Sequence, residues 1–207
     1  AGELGEVVSV HVSAWLMKPG DYFDVAWRRA TGGGPILINL IHDIDLLRHL
    51  VGDVVEVTAL SGNAVRGFEV EDTAAVALRF ACGALGTLSL TDAVPAPWSW
   101  ELTAGENPAY PVTNAVAGMI GGTEGSLEIP SGALWSQRER SWWAPMSRTQ
   151  RPREREDPLV AQIEHFVDVI RGEAEPLVSG LDGLKAVAIV EAIQASAASG
   201  RAVVPAV

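Results

Sequence analysis

Between Val7 and Trp15 apolar positions (Val8, Val10, Val12, Ala14) partly alternate with polar ones (Ser9, His11, Ser13), and the β-branched content predicts a half-buried strand. The period then lengthens. Apolar residues at 40, 41, 44, 47 and 50–51 form one stripe of a helix over 39–51, with Gly52 as its stop. From 54 to 92 the pattern returns to strands: Val54–Ser61, Thr73–Phe80 and Ala84–Thr91, the last two joined by a tight hairpin at Cys82-Gly83. Short connections between successive strands predict antiparallel pairing. Gly121 to Gly125 reads as a turn before a strand at Ser126–Ile129, and Leu134–Ser136 and Trp142-Trp143 suggest further edge strands.

Two helices close the chain. Asp157 as N-cap with Pro158 at the first helical position opens one that runs to Arg171 and stops at Gly172. Ser179-Gly180-Leu181-Asp182 resembles a capping box, with Asp in place of the usual Glu or Gln, and opens a helix to Ser199. Strands first and helices last predict an α+β fold, a mostly antiparallel sheet with helices packed on one face. Three segments fall outside this pattern: a polar, aromatic loop at 18–31, a loop at 93–114 too long and aromatic to be a passive connector, and a mixed-charge run at 148–156 that reads as a solvated surface loop.

Composition narrows the function classes. At 207 residues and 48% hydrophobic the chain can bury one substantial core, and a formal charge of -11 argues against a nucleic-acid partner. Cys82 stands alone, so no internal disulfide forms and a reducing compartment is expected. No apolar run reaches the ~18–20 residues of a membrane span. The first residues lack the regions of a signal peptide and lead directly into a strand, as in a chain entered mid-domain. A cytoplasmic protein with no membrane partner is expected.

Polar side chains that interrupt an apolar run are costly to bury unless partnered or used in chemistry. His42 and Asp45 are such residues, three apart and therefore on one helix face, with Asn39 three residues earlier. A His beside a carboxylate can keep a defined tautomer and exchange a proton near neutral pH. The plainer alternative is a structural hydrogen bond at a helix N-terminus. Trp100, Glu101, Asn107 and Tyr110 in the 93–114 loop combine aromatic faces with groups that bind hydroxyls, as a sugar site requires; an aromatic plug or a subunit contact fits them equally. Gly32-Gly33-Gly34 lacks the G-x-G-x-x-G spacing and is not expected to cradle phosphate. His42-Asp43 with His49 suggests a metal site, but the remaining histidines, His11 and His165, offer no ligand spacing and no metal is expected; Cys82 has no activating basic neighbour, and Glu164, Asp168 and Arg171 read as a solvated helix face.

The run from Gly32 to Gly52 resembles the central motif of the Gfo/Idh/MocA family of nicotinamide-dependent sugar and polyol oxidoreductases, in which glycines precede Asp-x-Gly-x-His-x-x-Asp and the His acts in proton transfer. His42 and Asp45 match the motif's His and second Asp, while Ile38 and Leu40 stand where it has its first Asp and its Gly. Gly5-Glu6-Val7, Gly122 to Leu127 and Ser179 to Ala186 extend the resemblance over the chain, all within the family's C-terminal domain. The resemblance implies a single substrate-binding and oligomerisation domain over 1–207, without the N-terminal Rossmann domain that carries the glycine fingerprint and the Glu-Lys-Pro lysine. It implies His42 as the catalytic proton carrier and Asn39 and Asp45 as substrate ligands. Tyr22, Trp27 and Arg28 join them because the family places that segment beside the active site. It also implies NAD or NADP in the full-length parent but none for this domain alone, a sugar or polyol substrate, and a homodimer or higher assembly through the sheet face. Competing with this dehydrogenase reading are a non-catalytic carbohydrate-binding or association module of the same fold, which Ile38 supports, and a metal-dependent hydrolase built on His42, Asp43 and Asp45.

Overall fold

A computed structural model describes residues 2–151 and 157–207. The strands are β1 (Val7–Trp15), β2 (Val54–Gly62), β3 (Thr73–Phe80), β4 (Leu85–Thr91), β5 (Gly118–Gly122), β6 (Gly125–Ile129), β7 (Ala133–Gln137) and β8 (Met146–Gln150). The helices are α1 (Pro35–Ile38), α2 (Leu40–Val51), α3 (Trp100–Ala104), α4 (Pro158–Arg171) and α5 (Gly180–Ser199). All eight strands form one sheet in the order β2-β3-β4-β1-β5-β6-β7-β8. Every neighbouring pair is antiparallel except β1 and β4, which run parallel because the long excursion between them, residues 16–84 through α1, α2, β2 and β3, returns β4 beside β1 in the same sense. The α+β architecture is as the sequence predicts.

Period-two alternation decides which side of the sheet is covered. Val12, Leu88 and Val76 lie in register across β1, β4 and β3, and Ala59 of β2 continues the row. These side chains face Leu40, Ile44 and Leu47 of α2 and Ile189, Val190 and Ile193 of α5, forming one continuous core. Burying each large aliphatic side chain there contributes about 1.5–3 kcal/mol. The opposite face of the sheet is exposed. It mixes Ala75, Ala77 and Leu85 with Thr58, His11 and Thr87, the last two hydrogen-bonded at 2.9 Å.

Several local expectations are corrected. Trp142-Trp143 is not a strand but a turn, with the two rings 89% and 87% exposed; Gln137 Nε2 pins that turn by donating to the carbonyls of Ser141 and Ala144, and pairing resumes only after Pro145, which has no N–H to give a ladder. Arg148, Thr149 and Gln150, expected in a loop, are part of β8; residues 152–156 of that charged run lie outside the described residues. β5 gives no strand signal in sequence because Gly118, Gly121 and Gly122 supply three of its five positions, yet a Cβ at Gly118 would stand 2.7 Å from the His11 carbonyl and one at Gly122 2.1 Å from that of Leu4. The capping box at Ser179 and Asp182 is present as expected.

Candidate functional site

The glycine triplet sets the start of the site. A Cβ on Gly33 would lie 2.2 Å from the Trp27 carbonyl oxygen, and one on Gly34 2.3 Å from Glu71 Oε1. Glu71 Oε1 also accepts the Ile36 N–H at 2.8 Å, so this chain's own carboxylate occupies the place a phosphate would take. Gly33 and Gly34 therefore serve close packing, and the residues present do not fit a dinucleotide there. Asn39 (φ −119°, ψ −56°) separates α1 from α2, so the helix expected from 39 begins at Leu40. His42 falls in its first turn, with its backbone N–H donating to the Asn39 carbonyl at 3.1 Å.

Because α2 buries Leu40, Ile44 and Leu47 against the sheet, its other face opens to a cleft of about 580 Å³. Asn39, His42, Asp43 and Asp45 line one wall. The floor is the end of β1 and β4 with Asp92, and the far wall is the start of α3, with Trp100, Glu101 and Glu106. Ser99 positions α3 by accepting the Leu102 N–H, and Trp100 Nε1 donates to Glu106 at 2.9 Å. Val178 and Asp182, beside the start of α5, complete the rim.

The charges are unevenly matched. Arg48, almost fully buried, donates to the Asp182 carbonyl at 2.9 Å, to Asp182 Oδ1 at 3.2 Å and to Asp53 Oδ1 at 3.1 Å, and lies 3.8 Å from Asp45. Hydrogen bonds from Ser179, then from Arg48, lower the Asp182 carboxyl to about 2. Asp53 is likewise held low, first by Lys185 and then by Arg48. On the floor, Asp92 sits between Lys18 at 3.3 Å and Arg66 at 3.2 Å; burial pushes the Lys18 amine down while Asp92 opposes that. Asp43 behaves differently. Burial, reinforced by the charge of Glu101, raises its carboxyl to about 7.

Of the residues singled out in sequence, Asn39, His42, Asp45, Trp100 and Glu101 share the cleft lining. Tyr22, Trp27, Arg28, Asn107 and Tyr110 stand outside it. Arg28 stacks 4.0 Å over the Tyr22 ring and donates to the Tyr22 carbonyl, and Trp27 is exposed beside it. Asn107 Oδ1 accepts the Ala109 N–H, and the Tyr110 N–H donates to the Asn107 carbonyl, so both shape a local turn. Sequence reasoning passed over Arg48 and Asp182 as cleft residues and weighed Asp43 only as a metal ligand. For Asp43 a signal existed, a second carboxylate beside the motif His, while the Arg48–Asp182 contact joins positions 134 apart and leaves no local trace. Among the described residues no three His, Cys, Asp or Glu side chains come together to hold a metal ion, including those at 42, 43 and 45. No helix among them is long and apolar enough to cross a membrane.

The chain is 29% identical over 174 residues to D-apiose dehydrogenase of Rhizobium rhizogenes, covering 79% of this chain and 46% of the relative. The WlbA dehydrogenase of Bordetella pertussis, solved with NADH and UDP-GlcNAcA, superposes with a TM-score of 0.70 at 26% identity, covering 100% of this chain and 56% of that one. The aldose-aldose oxidoreductase of Caulobacter crescentus, solved with glycerol, gives 0.72 at 25% identity over 98% of this chain and 57% of the other. The chain thus spans about half the length of the proteins it matches. The family model for the oxidoreductase family C-terminal alpha/beta domain matches residues 1–205, in keeping with the glycine turn, the His42 helix and the mixed sheet, and the chain belongs to the Gfo/Idh/MocA oxidoreductases.

Proposed function

We propose that residues 1–207 form the substrate-binding and oligomerising domain of a cytoplasmic NAD(P)-dependent oxidoreductase that acts on a hydroxyl of a sugar, polyol or cyclitol. The observation that carries this reading is the cleft, in which the motif residues His42 and Asp45 stand together with Asn39, Trp100 and Glu101. His42 lies at the solvent-accessible first turn of α2, where an imidazole can take the proton of a substrate hydroxyl and pass it to water. Asn39 binds and orients the substrate, and the Trp100 ring offers a flat apolar face to its C–H surface. Asp45, 3.8 Å from Arg48 and on the same helix face as His42, places a carboxylate where it favours the imidazolium formed as His42 accepts the proton.

The hydride acceptor is a nicotinamide held by a nucleotide-binding half outside this chain, since the glycine triplet is filled by Glu71. The uncovered apolar side of α4, with Leu159, Ile163, Phe166 and Ile170 each more than 60% exposed, supports a larger whole in which more protein packs there. A second subunit on the open sheet face is proposed by family likeness. Ile38, in the place of the motif's first carboxylate, favours one alternative, a non-catalytic carbohydrate-binding module of the same fold.

Chemical-shift mapping with neutral sugars and polyols tests the site. Added ligand should move the Trp100 indole N–H and the Asn39 and His42 signals while leaving Trp142 and Trp143 unmoved. Shifts confined to Tyr22, Trp27 or Tyr110 would place the substrate elsewhere.

A further inference from the structure

We propose that the cleft sorts substrates by charge, admitting uncharged polyhydroxylated molecules and turning away sugar acids, with Asp43 and Glu101 as the sorting pair. The inference rests on the reading of this cleft as the substrate site. It begins from how each charge on the wall is matched. Arg48 is engaged by Asp45, Asp53 and Asp182, and the two cations behind the floor, Lys18 and Arg66, are engaged by Asp92. Glu106 is occupied as the acceptor of the Trp100 indole. Asp43 and Glu101 both line the cleft without an ion pair among the described residues, and the charge of Glu101 adds to burial in raising the Asp43 carboxyl.

A second observation concerns hydrogen-bond polarity. Asn39 Oδ1 is a buried acceptor without a hydrogen-bond partner in a residue that lines the same cleft, where Arg48 Nε, on a guanidinium already engaged by three carboxylates, is the one buried donor without a partner among the described residues of the lining. Buried acceptors left unpaired are costly, and a ligand that donates removes that cost. Asn39, Asp43 and Glu101 thus all ask for donors. A hydroxyl supplies one; an ionised carboxylate has none and adds a like charge in a half-buried setting where screening is weak. His42 and His49 are the cleft's remaining basic groups.

The test uses this chain and matched pairs of a neutral sugar and its own acid: glucose with glucuronate, galactose with galacturonate, xylose with xylonate. Dissociation constants at pH 8 are read from the Trp100 indole N–H shift. For a pair whose neutral member binds, the acid should bind at least about tenfold more weakly. Glu101→Gln and Asp43→Asn should each narrow that gap, and the double variant should bring it within about threefold. Amide backbone spectra of each variant show whether it folds, and Glu101→Gln alters a surface-facing helix where folding is least at stake. Equal binding of acid and neutral sugar by the unaltered chain, or a gap unchanged in both variants, overturns the sorting role while leaving the cleft as the substrate site. An acid that binds in preference overturns it as well. Failure of every neutral and acidic sugar to move Trp100 removes the cleft as the substrate site in this chain, and the inference with it.

Discussion

Two amphipathic helices, α2 and α4, carry equally clear apolar stripes and meet opposite fates. In α2, Leu40, Ile44 and Leu47 are buried between the sheet and α5, and that burial orients His42 and Asp45 outward into the cleft. In α4 no residue is buried, and Phe166 is 62% exposed. Periodicity of 3.6 identifies a helix and its adhesive side but is silent about what covers that side. This chain supplies the cover for α2, whereas α4 is left with an apolar face toward solvent.

The contrast can be broken most forcefully in the core. Leu47→Ala should cost about 3 kcal/mol, the range for emptying a packed aliphatic site, read from urea denaturation. A cost under ~1 kcal/mol would mean that α2 is not held as described. Next in size is the clamp at its C-terminal end. Arg48→Ala leaves three carboxylates short of their shared cation and should cost about 2 kcal/mol. The same clamp shapes the acid limb. Asp182, held at about 2 in the fold, contributes stability that is present above its unfolded value of about 4 and is lost as pH falls toward 2. Ser179→Ala and Arg48→Ala should both shrink that loss.

Asp43 should show the opposite sign. Its carboxyl is raised to about 7, so it weakens the fold progressively as pH rises from about 4 to about 7. Asp43→Asn should therefore stabilise the chain by about 1–2 kcal/mol at pH 8, allowing for partial exposure, and by nothing at pH 4. Glu101→Gln should lower the pH at which the Asp43 carboxyl titrates. The smallest effect belongs to α4: Phe166→Ala should change the stability of this chain by less than about 0.5 kcal/mol. A cost matching that of Leu47→Ala would show the α4 stripe to be covered in solution and erase the contrast.

Much of the fold was legible because its signals are local. The alternation of β1, β3 and β4, the stop at Gly52 and the Ser179–Asp182 capping box can each be read within a dozen residues. β5 was not, since its glycines are there to let neighbouring backbones approach, a requirement set by chain segments more than a hundred residues away. Trp142-Trp143 misled for the converse reason: β-prone residues sit at a turn that Gln137 and Pro145 fix. In the cleft, the helix face of His42 and Asp45 followed from spacing. The union of α2 with α3 at Glu101 and with α5 at Asp182 followed from nothing local, and it is that union that gives Asp43 and Arg48 their roles. Ile38 is the residue whose place in the motif the structure leaves without a physical account.

The most direct test is the turnover of the whole protein containing this chain with His42 replaced. Against a neutral polyol and NAD or NADP, His42→Ala should lower kcat by about 10²–10⁴-fold while cofactor affinity stays within about twofold. Unchanged turnover would remove His42 from proton transfer and contradict the assignment of this cleft as the reacting site.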